Sequence, residues 1–141
     1  MEVLADVNVL LALADSRHNH HERSINWFDS QESGSRLLIC RVAQMGLLRL
    51  LVNSSVMQGE PLTLPQAWAY YGNFIQNPNV SESREPVGLQ SKWAELSFDF
   101  GSSPKVLAEA YLAAFAISSG FKLVTFDKGF EQFNGLDLAI L

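Results

Sequence analysis

Three acidic side chains lie where charge is costly. Asp6 follows the apolar stretch Val3-Leu4-Ala5, Asp127 follows Leu123-Val124-Thr125-Phe126, and Glu109 is the only charged residue between Lys105 and Lys122. Each apolar stretch reads as a short buried strand, which puts Asp6 and Asp127 at strand carboxyl ends. In an open parallel sheet that edge is where ligands gather. Glu109 belongs to the helix leading into the second of those strands. A carboxylate on a buried helix is costly unless its charge is compensated, and acids brought together repel one another strongly at low dielectric. A divalent cation relieves that repulsion. Mg²⁺ prefers oxygen ligands and is usually held by few carboxylates plus substrate phosphates. A cation so held activates water and stabilises the leaving oxygen in phosphodiester cleavage. Asn8 and Gln44 are candidate amide partners that orient ligands or water. Thr125 is a candidate partner for a metal-bound water, and Arg49 and Lys128 are candidates for a phosphate. Each acid also has a plainer reading: Asp6 as a helix N-cap, Asp127 as a turn residue before Lys128-Gly129, and Glu109 as a loop cap or the partner of a nearby cation.

The elements that must position these groups follow from pattern. Ser103-Pro104 is a helix start, a hydroxyl cap before a residue that loses no helical hydrogen bond, and Gly120 is a stop. The helix between them is apolar nearly all round, so it is expected to be buried on most sides. Met1 to Ala5 is a first strand, and Val7 to Leu13 continues it into a helix. Ser16 to Gln31 is amphipathic, with His21, Ile25 and Phe28 on one face. Arg36 to Cys40 is a second buried strand after the turn Ser33-Gly34-Ser35. Arg41 to Val52 has helical length and good helix formers apart from Gly46. Thr63 caps a further helix with Ala67, Trp68, Tyr71, Phe74 and Ile75 on its apolar face. Val80 to Glu85 is a short polar edge strand, Pro86 opens the next helix, and Leu136 to Leu141 forms a last strand. Strands alternating with helices give an α/β pattern with a mainly parallel sheet.

Composition limits the alternatives. At 141 residues, 48% hydrophobic and 18% charged, the chain is expected to form one domain over 1–141 with a substantial core. A formal net charge of −5 speaks against loose polyanion binding by a basic surface, although a cation-loaded acidic site still binds phosphate. The single Cys40 allows no internal disulfide, so a reducing, cytoplasmic setting is the simplest expectation. No signal peptide is evident in the opening residues, which Asp6 interrupts, and no apolar run is long enough to span a bilayer. His18, His20 and His21 lack the further ligands zinc requires and are assigned a structural or surface role. Trp68, Tyr71 and Phe74 suit a core or partner interface better than a base-stacking platform.

The sequence resembles the PIN-domain proteins, specifically the VapC-like ribonuclease toxins of bacterial toxin–antitoxin pairs. The resemblance rests on D-V-N-V-L-L-A-L at Asp6 to Leu13, H-x-x-H at His18 to His21, W-F at Trp27-Phe28, and Q-M-G-L-L-R-L-L at Gln44 to Leu51. It continues with A-W at Ala67-Trp68, A-Y-L-A-A-F-A at Ala110 to Ala116, and T-F-D-K-G-F at Thr125 to Phe130. It implies a PIN-like three-layer sandwich, a mainly parallel central sheet flanked by helices. It further implies Mg²⁺- or Mn²⁺-dependent cleavage of RNA, a small antitoxin partner, and a homodimer. The family's first acid maps to Asp6 and its last to Asp127. Two positions depart from the common pattern. Many members have glutamate where this chain has Gln44, though one branch has Gln. Aspartate is expected where this chain has Glu109. Losing a charge and lengthening an arm both weaken a Mg²⁺ site, so a weakened or inactive PIN-like module that binds RNA or protein is the alternative. A phosphohydrolase with Asp6 as nucleophile is a further rival, but Asn8 stands where that chemistry needs a second aspartate.

Overall fold

The computed structural model describes residues 1–141. Its frame is a single sheet of five strands, β1 (Glu2–Ala5), β2 (Arg36–Ile39), β3 (Val80–Glu82), β4 (Lys122–Thr125) and β5 (Leu138–Ile140). They are ordered β3-β2-β1-β4-β5, and every pairing is parallel. The chain moves outward from β1 through β2 to β3, then returns to the other side of β1 for β4. The order therefore reverses between β1 and β4, where an open α/β sheet forms its ligand crevice. Val3, Leu4 and Ala5 of β1, and Leu123 and Val124 of β4, are buried, as expected of parallel strands covered on both faces.

Six helices cover the sheet: α1 (Val7–Ala14), α2 (His21–Asp29), α3 (Arg41–Leu51), α4 (Leu64–Phe74), α5 (Leu89–Ser97) and α6 (Pro104–Ser119). α1 packs on α2 and α3, and α3 on α4; α5 packs on α6, which lies against β4. This is the three-layer arrangement expected from the sequence. α6 starts as expected: Ser103 Oγ accepts from the Val106 N–H at 3.2 Å, and Gly120 ends the helix at φ +72°. Thr63 and Gln66 cap the start of α4 reciprocally, satisfying two backbone donors that the first turn leaves open.

Gly46, a weak helix former in mid-helix, has a packing reason. A Cβ at that position would stand 2.8 Å from Val7 Cγ2. Its absence lets α3 approach the first turn of α1, next to Asp6.

Several boundaries differ from the sequence expectation. Pro86 does not open a helix; α5 begins at Leu89, after Gly88 at φ +84°. The turn at Gly88 needs a left-handed backbone, and a helix run through from Pro86 would not supply it. α2 begins at His21, so His18 is not one helical turn below it. Asp15 Oδ1 accepts from the Arg17 N–H at 3.0 Å and holds the preceding residues in a turn, a competing local bond typical of Asp. β3 is limited to Val80–Glu82 and β5 to Leu138–Ile140, both at sheet edges. β4 spans Lys122–Thr125, so Phe126 lies just beyond it.

Candidate active site at the β1–β4 carboxyl edge

Parallel register sets the first part of the site. Ala5 pairs with Val124, and the Asp6 N–H donates to the Val124 carbonyl at 3.0 Å, so Asp6 is level with Thr125. Asp6 is also the N-cap of α1: its Oδ1 accepts from the Val7 N–H at 2.7 Å. Its Oδ2 accepts from the Thr125 hydroxyl at 2.7 Å. Thr125 Oγ1 in turn accepts from the Asp127 N–H at 3.0 Å and from Asn8 Nδ2 at 3.4 Å. A hydroxyl has one donor and two acceptor positions, and this fully buried hydroxyl uses all of them. Asn8 Oδ1 accepts from the Phe126 N–H at 3.4 Å. Asp6, Asn8, Thr125 and Asp127 are therefore one hydrogen-bonded unit built from two adjacent strand ends.

α6 supplies the second part. Glu109 is 8% exposed. Its Oε2 accepts from Gln132 Nε2 at 3.3 Å, while its buried Oε1 accepts no hydrogen bond. Lys105 Nζ stands 3.5 Å from Glu109 Oε1 and 3.5 Å from Asp127 Oδ2. Asp127 Oδ1 accepts from the Gly129 N–H at 2.8 Å. A Cβ on Gly129 would stand 3.1 Å from that oxygen and 3.5 Å from Glu109 Oε2, so glycine here leaves the acids open.

The proton affinities record the strain. Burial raises the Asp6 carboxyl above its ordinary value; the Thr125 and Val7 hydrogen bonds partly offset this, and the Asp127 charge raises it further. Burial and the Asp127 charge likewise raise Glu109 against the lowering effect of Lys105. Asp127 moves the other way, lowered chiefly by the Gly129 N–H and then by Lys105. Asp127 is thus the settled anion, and Asp6 and Glu109 are the acids its charge works against.

The donor set suits a hard divalent cation. All donors are carboxylate oxygens, mutual repulsion remains, and Glu109 Oε1 is buried without a donor. As the side chains stand, no three His, Cys, Asp or Glu groups enclose one ion. Glu109 and Asp127 form a pair about Lys105, and Asp6 is joined to Asp127 through Thr125.

The other candidates have their own surroundings. Gln44 is buried, and its Oε1 accepts from Arg41 Nη1. Arg49 is exposed and borders a depression formed with Val7, Gly46, Leu50 and Asn53. Lys128 is exposed beside Asp127 and makes no ion pair. The histidines have local roles: His21 Nδ1 lies 2.7 Å from the Ala12 carbonyl, His18 Nδ1 accepts from the His20 N–H at 3.0 Å, and His20 stacks on Phe126 at 4.5 Å. Trp68 is exposed and meets buried Tyr71 edge-on at 6.4 Å. Sequence reasoning missed Lys105, although its spacing four residues before Glu109 on one helix is a readable pairing signal. It also missed Gln132 and Gly129, which only the turn after Asp127 brings to Glu109.

The PIN domain family matches residues 3–136. The chain is 41% identical over 143 residues to ribonuclease VapC41 of Mycobacterium tuberculosis, covering 99% of this chain and 98% of that protein. The fold is similar to that in the crystal structure of VapBC2 from Rickettsia felis bound to a promoter DNA fragment. The TM-score is 0.71 at 13% identity, covering 100% of this chain and 99% of that one. It is also similar to Mycobacterium tuberculosis VapC20, described as a sarcin-ricin loop cleaving toxin, with a TM-score of 0.66 at 12% identity over 92% of each chain. The match to the family spans nearly the whole chain and includes all three acids of the β1–β4 edge: the chain belongs to the PIN-domain family and, within it, to the VapC proteins.

Proposed function

We propose that this protein is a divalent-cation-dependent endoribonuclease, the toxin of a toxin–antitoxin pair, acting on RNA at the β1–β4 edge. The observation that carries this reading is the joining of Asp6 to Asp127 through the Thr125 hydroxyl, beside a buried Glu109 oxygen without a donor. Asp6, Glu109 and Asp127 would hold Mg²⁺ or Mn²⁺. The bound cation would supply charge neutralisation and an activated water. Thr125 fixes the carboxylate of Asp6 and the backbone of Asp127, so these acids are positioned before substrate arrives. Asn8 holds the Thr125 hydroxyl and the Phe126 N–H, and in this reading keeps that strand end from shifting as RNA binds. Lys128, exposed beside Asp127, would meet an RNA phosphate there; Arg49, exposed on α3 beside Val7, would touch another phosphate of the strand. A small antitoxin covering the toxin is part of the same reading, supported by similarity to the VapBC2 complex; a homodimer and a cytoplasmic setting, in which buried Cys40 stays reduced, belong to that reading as well. No helix is long and apolar enough to cross a membrane.

The test is cleavage of single-stranded and hairpin RNA with Mg²⁺, Mn²⁺ or chelator. Wild type is expected to cut only with metal, and Asp6→Asn and Asp127→Asn are expected to lose cutting. Metal-independent cutting, or cutting that survives both substitutions, defeats the assignment.

One observation favours a second reading, a PIN-like module that binds RNA without cutting it: Lys105 already holds the Glu109–Asp127 gap. RNA binding without any metal-dependent product would establish that reading.

A further inference from the structure

Lys105 is placed where ordinary helix energetics do not favour it. It is the second residue of α6, directly after Pro104, in the turn where the helix dipole disfavours a cation. Its side chain is 73% exposed, yet its ammonium is directed back to two carboxylates from different elements, Glu109 on α6 and Asp127 beyond β4, at 3.5 Å from each. A surface pair formed only for helix support would need Glu109 alone.

The fit is also incomplete. Glu109 Oε1 accepts no hydrogen bond although the ammonium is near it. The contact is one of charge, from a long flexible stem in solvent, and such contacts are weak and readily exchanged. A hard cation bound to the same oxygens would approach to about 2.1 Å. Elsewhere on the same sheet edge, Arg41 donates a formed hydrogen bond to Gln44. Lys128, the other lysine near the acids, makes no ion pair. Lys105 is thus the only ammonium in contact with this acid pair.

We propose that Lys105 is a tethered counter-ion that occupies the cation position between Glu109 and Asp127 and must swing out for a divalent metal to bind. It holds the acids in place without metal, and it sets the metal affinity lower than the carboxylates alone would give. The inference rests on the metal-binding reading above, and it makes Lys105 a positioning residue.

The experiment is Mn²⁺ titration by calorimetry, at low salt and neutral pH, of the full chain as wild type, Lys105→Met and Lys105→Arg, with thermal unfolding followed with and without Mn²⁺. Methionine keeps the stem and removes the charge; arginine keeps the charge. Lys105→Met is expected to bind Mn²⁺ roughly tenfold more tightly, the scale of removing one nearby positive charge at a protein surface. It should also melt lower than wild type without metal and gain more from saturating Mn²⁺. Lys105→Arg is expected to bind no more tightly than wild type.

If wild type and Lys105→Met bind Mn²⁺ within twofold of each other, the proposal is overturned while the metal site stands. If Lys105→Met binds more weakly, Lys105 assists the metal and the proposal is again overturned. If no variant binds Mn²⁺, the metal reading itself fails and displacement fails with it. The counter-ion role is then decided by a metal-free cycle of Lys105→Met, Glu109→Gln and the double variant. An unfolding midpoint for the double variant equal to the sum of the single shifts would eliminate it.

Discussion

The carboxyl edge of this sheet carries two polar clusters built on the same plan. At one, β1 runs into α1 through Asp6; at the other, β2 runs into α3 through Cys40. Asp6 caps its helix with a side-chain oxygen, whereas buried Cys40 makes no side-chain cap. Around Cys40, Arg41 donates to Gln44 and stands 3.9 Å from Glu82, and the buried Tyr71 hydroxyl beside them has no partner. At the Asp6 edge, two carboxylates, Glu109 and Asp127, share one ammonium, Asp6 is joined to Asp127 only through Thr125, and a buried Glu109 oxygen has no donor. Similar backbone geometry thus gives one cluster with a guanidinium set between an amide and a carboxylate, and one whose acids repel one another. Groups left in such a state mark the chemically competent part of a fold. In the proposed function, the β1–β4 cluster gives up some stability for an affinity it would use when a cation arrives.

Asp6→Asn tests that difference most severely. Cleavage is expected to fall by more than about a hundredfold, since even residues that only orient metal ligands cost 10- to 100-fold. Stability without metal should not fall with it. The raised carboxyls of Asp6 and Glu109 bind protons more tightly folded than unfolded. Their contribution is therefore favourable below the unfolded value near 4 and is lost as pH rises through the raised folded values. Asp127, lowered, contributes in the opposite sense, losing its stabilisation as pH falls. Chemical denaturation of the metal-free protein between about pH 4 and 7 should show a downward slope that flattens in Asp6→Asn. An unchanged slope would mean that Asp6 is not strained and that the two clusters do not differ in this way.

Thr125→Val keeps the shape and removes the hydroxyl that joins Asp6 to Asp127. Mn²⁺ affinity by calorimetry is expected to drop about 10- to 100-fold. The Asp127 N–H and Asp6 Oδ2, both in part-buried bonds, each lose a partner, so unfolding free energy should fall by about 1–3 kcal/mol. Loss of stability with unchanged affinity would make Thr125 a purely structural member of the edge.

The comparison also shows what sequence makes legible. Asp6 and Asp127 could be placed at one edge because a buried parallel strand has a strong apolar signature and a fixed direction, and the order of β1 and β4 did the rest. The helix ends at Ser103, Gly120 and Thr63 were readable because caps are local chemistry. What could not be read depends on how distant segments meet. The Arg41 bond to Gln44 is a contact that pattern alone did not show. Pro86 looked like a helix start, but Gly88 redirects the chain first. Gly46 looked like a defect, and only the close approach of Val7 explains it. Gly46→Ala should therefore cost about 1–3 kcal/mol of stability through overpacking, measured by denaturant unfolding. A stabilised Gly46→Ala would show that helix propensity outweighs that contact.

Gln44→Glu probes the boundary between the clusters and should have the smallest effect. The resemblance to VapC-like proteins puts glutamate at this position in many members, and an added acid tightens a divalent site if it reaches the cation. Here Arg41 already donates to the Gln44 side chain, and a carboxylate in its place is a better acceptor for a guanidinium than an amide is. The new charge should be taken up by Arg41. Mn²⁺ affinity should then shift less than about threefold, the scale of a partly exposed ion pair. Adding Arg41→Ala to Gln44→Glu frees the carboxylate, and the double variant should bind Mn²⁺ more tightly than Gln44→Glu alone. Tenfold tightening by Gln44→Glu with Arg41 intact would join the two clusters into one site and remove the distinction between them.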